Sequence, residues 1–342
     1  MNNTNNIKNI NDINFNVSID ECFSELKPHP KFKECTFDNY NDDKNYPSQG
    51  MLKETLRNIA SSTKEKPKKF LFFGKNKPNK IAKNIYIDGT YGIGKTHLLS
   101  STFHIYNGSK AFMSFLELSY FMNFLGLEKT IEYFKDTDLL LIDEFDLDDP
   151  ATTRMATRLI DSLNPNTTII TTSNRLPKEL GGGKFDTTLF AKELGIISDT
   201  FDTITVEGKS FRINLGAWQA NLSNSSFEET LNTYPANKGK LLVDYKDLMK
   251  KLQDNHPFKF FVLPKTCDVI FIDNFEPITT LNDGIRFTIF IDHCYYHDTK
   301  LFFRSTDIKE NVFPKDLMET SFERQFLRCN SRLDELALFF QK

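Results

Sequence analysis

The stretch NIYIDGTYGIGKTHLLS, Asn84–Ser100, sets a glycine-rich turn between a short apolar run and the start of a helical pattern. Inside it, Gly89-x-x-x-x-Gly94-Lys95-Thr96 has the spacing of a phosphate-binding loop, and it stands in the order strand, loop, helix that such a loop requires. The glycines let the backbone turn so that its N–H groups face phosphate oxygens, and the helix N-terminus adds its dipole. The candidate nucleotide-binding residues are therefore Gly89, Thr90, Tyr91, Gly92, Ile93, Gly94, Lys95, Thr96 and His97. Lys95 is placed to reach the β- and γ-phosphates and Thr96 to ligate Mg²⁺.

Downstream the pattern alternates between strand and helix. KAFMSFLELSYFMNFL, DLLLIDEF, a helical stretch from Pro150 to Leu163 and TTIITTSN follow in turn. Apolar runs this continuous, separated by amphipathic helices, predict a mostly parallel sheet covered on both faces, that is, a doubly wound α/β domain. In DLLLIDEF, Leu139–Ile142 make a buried strand, and Asp143 lies at its carboxyl end, where ligands bind in open α/β sheets. Asp143 can hold Mg²⁺, while Glu144 is placed to polarise a water. Without the loop upstream, the same residues would read as a strand end and a solvated acidic helix cap, since Asp146, Asp148 and Asp149 follow. TTIITTSN adds a strand ending in Ser173-Asn174, and Asn174 there can bond the γ-phosphate or the attacking water; the plainer alternative is a turn initiator before RLP.

Upstream, FDNYNDDKNYPSQGMLKETL offers Phe37, Tyr40 and Tyr46 for stacking and Gln49 for the N6/N7 edge of adenine. A helix N-terminus with core aromatics explains the same residues. The lysine-rich segment over residues 62–83, with Pro67 and Pro78, reads as a linker rather than a nucleic-acid patch. The Asn-rich start, residues 1–20, reads as a disordered tail.

The chain of 342 residues has 39% hydrophobic and 26% charged residues and a net charge of −3, so its overall charge does not point to nucleic acid. Its five cysteines contain no C-x-x-C pair, which argues against a disulfide framework or a zinc site and for a reducing cytoplasm. No run of roughly 20 apolar residues is present to span a bilayer.

Beyond residue 240, CDVIFIDNF reads as a strand, DGIRFTIFIDHCYY as a helix, TKLFFRST as a strand and SFERQFLRCNSRLDELALFF as a terminal helix. The pair LLLIDEF and TTIITTSN resembles the pair VIFIDNF and KLFFRST. Either this is a degenerate internal repeat or two βαβ units coincide. In a repeat, Asn274 stands where Glu144 stands and no glycine-rich loop precedes it, which makes the second half a support.

The motifs IYIDGTYGIGKTHLL, LLLIDEFDLDDP, TTSNRLPKELGGGKF, VEGKSFR and FLRCNSRLDEL occur in an order that resembles the ZapE-type cell-division ATPases and their Afg-one-like mitochondrial relatives, from about residue 35 to the C-terminus. The resemblance implies a P-loop NTPase of AAA+ type, ATP with Mg²⁺, and homo-oligomers when ATP is bound. It also implies a protein partner of the division machinery and a cytoplasmic location or one peripheral to the inner membrane. Family members carry an arginine where this chain has Lys184, and Arg175, Arg212 and Arg332 match other basic positions of the pattern. Lys184, Arg175, Arg212 and Arg332 are thus candidates for a cation acting on the phosphates, Lys184 as a point charge without arginine's bidentate fork, and the three arginines read equally as structural ion pairs.

The expected organisation is a tail over 1–20, a helical adenine-side segment and basic linker over 21–83, an ATPase core over 84–215 and a C-terminal α/β region over 216–342. The expected function is an Mg-dependent ATPase that remodels a protein partner. The alternatives are a helicase-loader-like or transposition-helper ATPase acting on nucleic acid and a nucleotide-gated binding module with little turnover.

Overall fold

The computed structural model describes residues 7–62, 82–90, 92–147, 150–180, 190–209, 225–306, 312–320 and 322–342. These form two compact units, one from Ser24–Pro28 and Phe32–Arg212, the other from Met1–Phe23, His29–Lys31 and Ile213–Lys342.

The first unit is built on five parallel strands. Along the chain they are β2 (Ile85–Gly89), β3 (Lys110–Ser114), β4 (Leu139–Asp143), β5 (Thr168–Ser173) and β6 (Asp202–Val206). In space the order is β3-β4-β5-β2-β6, with every pairing parallel. β4 and β5 are buried at every residue, which is why their sequences show no polar alternation. The strand that leads into the glycine loop lies inside the sheet, and the carboxyl ends of β2, β4 and β5 come side by side. Helix Pro47–Ser61 joins this unit too: Leu52, Leu56 and Ile59 share one core with Phe37, Ile85, Ile87, Leu98 and Leu99. The segment expected on the adenine side thus packs in one core with the loop helix.

The second unit has five parallel strands in the order β1-β7-β8-β9-β10, namely Ile7–Lys8, Lys240–Asp244, Val269–Phe275, Lys300–Ser305 and Ala337–Gln341. Two expectations are corrected here. The Asn-rich start is not a disordered tail throughout, because Ile7 and Lys8 pair with Lys240 and Leu241, and Ile10, Ile13 and Phe15 are buried. Three apolar anchors outweigh the composition of that stretch. The terminal helix also ends at Leu336, and the ALFFQ that follows is β10, in parallel pairing with β9.

The two units repeat one another in detail. Lys110 pairs with Leu139 and Ser114 with Asp143, while Lys240 pairs with Val269 and Asp244 with Asp273. Ser114 and Asp244 each cap the helix that starts at the next residue. The Lys110 ammonium donates to the Phe103 carbonyl at 2.6 Å, and the Lys240 ammonium donates to the Leu231 carbonyl, in each case closing the helix before the strand. Asp138 accepts from the Ser109 N–H at 3.1 Å and Asp268 from the Asn237 N–H at 2.8 Å. Glu144 at φ 53° and Asn274 at φ 54° then turn left-handed after the strand-end aspartates. So many shared contacts decide for the repeat over coincidence. Where β2 lies beside β5, β10 lies beside β9.

At the amino ends of the first sheet, Asn84 is 1% exposed and ties three elements together. Its amide accepts from the Ile169 N–H at 2.8 Å and donates to the Asn164 side chain at 2.8 Å, and its carbonyl accepts from the Asp202 N–H at 2.9 Å. Asn84→Leu strands a buried N–H and should cost about 1–3 kcal/mol in denaturant unfolding. Nucleotide affinity should be unchanged, since the loop lies at the other end of β2. Wild-type stability in this variant would contradict the bracing role.

Candidate functional site

The glycine loop leaves β2 at Gly89, and Gly94, at φ 85°, caps the helix Lys95–Ile105. A Cβ on Gly94 would meet the Tyr40 ring at 2.6 Å, so both the backbone conformation and the space require glycine. The Tyr40 hydroxyl donates to the Ile93 carbonyl at 2.9 Å, and Lys53 donates to the Tyr40 carbonyl at 3.0 Å. Tyr40 thus supports the loop from behind. Thr90 is exposed and donates to the Gly208 carbonyl at 3.3 Å. His97 Nε2 lies 2.9 Å from the Thr36 carbonyl, so its ring is engaged with the segment before helix Pro47–Ser61. Tyr91 lies outside the described residues.

The structure brings Lys95, Thr96, Asp143 and Asn174 together. The Lys95 ammonium donates to the Thr90 carbonyl at 2.9 Å and to Asn174 Oδ1 at 2.8 Å, bridging the loop to the end of β5. Burial pushes its pKa down to about 8 against the pull of Asp143, Asp88 and Glu144. The Thr96 hydroxyl donates to Asp143 Oδ2 at 2.7 Å, and the Thr172 hydroxyl donates to Asp143 Oδ1. Asp143 is buried, and burial together with the Glu144 charge holds its pKa above the ordinary carboxylate value. Two hard oxygen donors, the Thr96 hydroxyl and the Asp143 carboxylate, thus meet at the mouth of the loop. That donor set fits Mg²⁺. Glu144 follows in a left-handed turn, a conformation that costs a non-glycine residue about 1–3 kcal/mol and persists where surrounding bonds enforce it.

Two residues here went unremarked in the sequence. Asp88, the residue before Gly89, is a half-buried carboxylate whose pKa burial raises and Lys95 lowers. Thr172 contacts both acids, and only the register of β5 against β4 reveals it.

Gln49 is not placed as the sequence suggests. It is fully buried, its Oε1 accepts from the Asp43 N–H at 2.9 Å and its Nε2 donates to the Glu207 carbonyl at 2.9 Å. The amide thus staples the start of helix Pro47–Ser61 to the exit of β6, and an amide so engaged is not presented to an adenine edge. Phe37, also buried, is core. Arg332 takes the ion-pair reading: it is 6% exposed, paired with Asp292 and bonded to the Tyr296 hydroxyl at 2.9 Å, all within the second unit. Arg175 donates to the Glu179 carbonyl at 3.3 Å, within its own turn. Lys184 and Arg212 lie outside the described residues. All five cysteines are buried and none is in a disulfide, and burial pushes the Cys35 and Cys267 thiols up to about 11. Among the described residues no cluster of three or more His, Cys, Asp or Glu is arranged to hold a metal, and no helix is long and apolar enough to cross a membrane.

A family model described as AFG1-like ATPase matches residues 17–236, more than half of the chain. The chain belongs to the AFG1-like ATPase family. It is a P-loop ATPase, and the match begins upstream of the quoted motifs and stops before most of the second unit. Solved structures similar to it include that of DnaI, at 14% identity and a TM-score of 0.38, covering 52% of this chain and 93% of that one. The DnaC helicase loader is 17% identical with a TM-score of 0.35, covering 52% of this chain and 99% of that one. A putative primosome component from Streptococcus pyogenes serotype M3 is 16% identical with a TM-score of 0.39, covering 57% and 100%. No curated protein matches the chain.

The Gln49 geometry sets a clear expectation. Gln49→Met should lower stability by about 1–3 kcal/mol through the lost staple, and it should change ATP and GTP affinity by the same factor. A selective loss of ATP over GTP at wild-type stability would restore the base-reading role.

Proposed function

We propose that this ATPase hydrolyses ATP at the carboxyl ends of β2, β4 and β5 and uses the cycle to act on a protein partner. The observation that carries the site reading is the pair of bonds Lys95–Asn174 and Thr96–Asp143, which joins the loop to the two neighbouring strand ends. In this reading the loop N–H groups and the Lys95 ammonium receive the phosphate oxygens, the ammonium giving up its loop-carbonyl bonds to do so. Thr96 and Asp143 hold Mg²⁺, which when bound neutralises developing charge on the phosphates. Glu144 accepts a proton from the water that attacks the γ-phosphorus as the bond to the ADP oxygen breaks, and Asn174 orients that water or the γ-phosphate. ATP sits in the first unit alone, because the second has no glycine loop and its strand-end aspartate is bonded by an arginine.

The resemblance to ZapE-type ATPases supports a protein client and ATP-linked self-association, with a cation such as Lys184 or Arg212 completing the site. Steady-state rates measured across protein concentration, with and without single-stranded DNA, separate this reading from a nucleic-acid one. A rate that responds to DNA and is indifferent to concentration favours the latter. Glu144→Gln should keep ATP bound and slow turnover by about 100-fold or more. Hydrolysis at the wild-type rate in that variant would remove Glu144 from the mechanism.

A further inference from the structure

Thr172 is 1% exposed and bonds three consecutive residues of the β4 exit. Its hydroxyl donates to Asp143 Oδ1 and accepts from the Glu144 N–H at 3.0 Å, and its carbonyl accepts from the Phe145 N–H at 2.7 Å. A hydroxyl can do both because it carries one proton and two lone pairs, and threonine's branched Cβ limits the rotamers it can leave for. The Glu144 N–H it holds belongs to the residue whose φ of 53° takes it out of the strand's alternation.

The second unit shows what a different residue does at this place. One step beyond the pairs Ile142–Thr171 and Ile272–Phe303 lie Thr172 and Arg304, each beside a strand-end aspartate. Arg304 Nε donates to Asp273 Oδ1 at 2.7 Å and its Nη2 donates to Oδ2, so one fixed cation takes both carboxylate oxygens. In the first unit, Thr172 takes one oxygen of Asp143 and leaves the other to Thr96. The left-handed turn of the second unit falls on Asn274, a residue type at ease there; in the first it falls on Glu144, which is not.

We propose that Thr172 is a positioning residue for ATP hydrolysis: through Asp143 and the Glu144 N–H its hydroxyl holds the left-handed turn that presents the two acids. This rests on the roles given above to Asp143 and Glu144. Thr172→Val keeps the shape and the backbone bond but removes the hydroxyl, and Thr172→Ser keeps the hydroxyl. In Thr172→Val, kcat should fall about 10- to 100-fold, the scale of a small misplacement of catalytic groups. Affinity for fluorescent ATP in EDTA, which reads the loop alone, should stay within about two-fold, a change worth well under 1 kcal/mol. Thr172→Ser should recover most of the lost rate. A stability cycle supplies a readout independent of turnover: with Glu144→Gly the turn is unstrained, so Thr172→Val should lower the unfolding midpoint less in that background than in wild type. If Thr172→Val does not fold, Thr172→Ala carries the same comparisons. Wild-type kcat in Thr172→Val, a Thr172→Ser variant as slow as Thr172→Val, or strictly additive midpoint shifts would each overturn the proposal. Glu144→Gln run alongside keeps the two readings apart. If it turns over normally, the Glu144 assignment fails; if it stalls while Thr172→Val does not, only the positioning role fails.

Discussion

The carboxylate of Asp143 is buried at the end of a strand with no exposed residue, and the nucleotide site is arranged around that charge. An isolated carboxylate cannot be buried without large cost, so its oxygens must be bonded and its charge answered. Hydroxyls from Thr96 and Thr172 supply the bonds, from the loop helix and from the neighbouring strand. The Lys95 ammonium supplies an opposing charge, itself bonded to a loop carbonyl and Asn174. The loop helix delivers Lys95 and Thr96 and the neighbouring strand delivers Thr172, and these elements meet because the strands are parallel and end together. The site is thus a consequence of the sheet, and the sheet in turn depends on cores such as that shared by helix Pro47–Ser61 and the loop helix.

The second unit meets the same electrostatic demand from within. Asp273 is bonded by Arg304, which holds its pKa below the ordinary carboxylate range, the opposite direction from Asp143. Asn274 bridges Asp244, to which it donates at 2.6 Å, and Lys342, from which it accepts. The frame is retained, with strand-end acid, left-handed turn and capped helix, while Arg304 bonds the acid and Lys342 bonds the turn residue. One architecture therefore bonds its strand-end aspartate with hydroxyls in one unit and with an arginine in the other.

Much of this was legible in the sequence because the signals were local. The loop spacing places Lys95 and Thr96, the apolar run LLLI places Asp143 at a strand end, and Asn174 follows from the next strand. What was not legible depends on partners far away in the chain. Gln49 looks available until the β6 exit, with the Glu207 carbonyl, closes over it. Thr172 looks like one threonine among several until the register sets it against Asp143. The ALFFQ segment continues a helical pattern until β9 offers it an edge to pair with. The Asn-rich start reads as disordered by composition, although its few apolar residues decide its place.

The central claim is that one buried, cation-seeking carboxylate with its loop makes a single nucleotide site per chain. Isothermal calorimetry with a non-hydrolysable ATP analogue and Mg²⁺ tests it most directly. The expected result is one analogue per wild-type chain and no binding in Lys95→Ala, whose loop lacks the cation. Two analogues per chain, or binding that survives in Lys95→Ala, would contradict it.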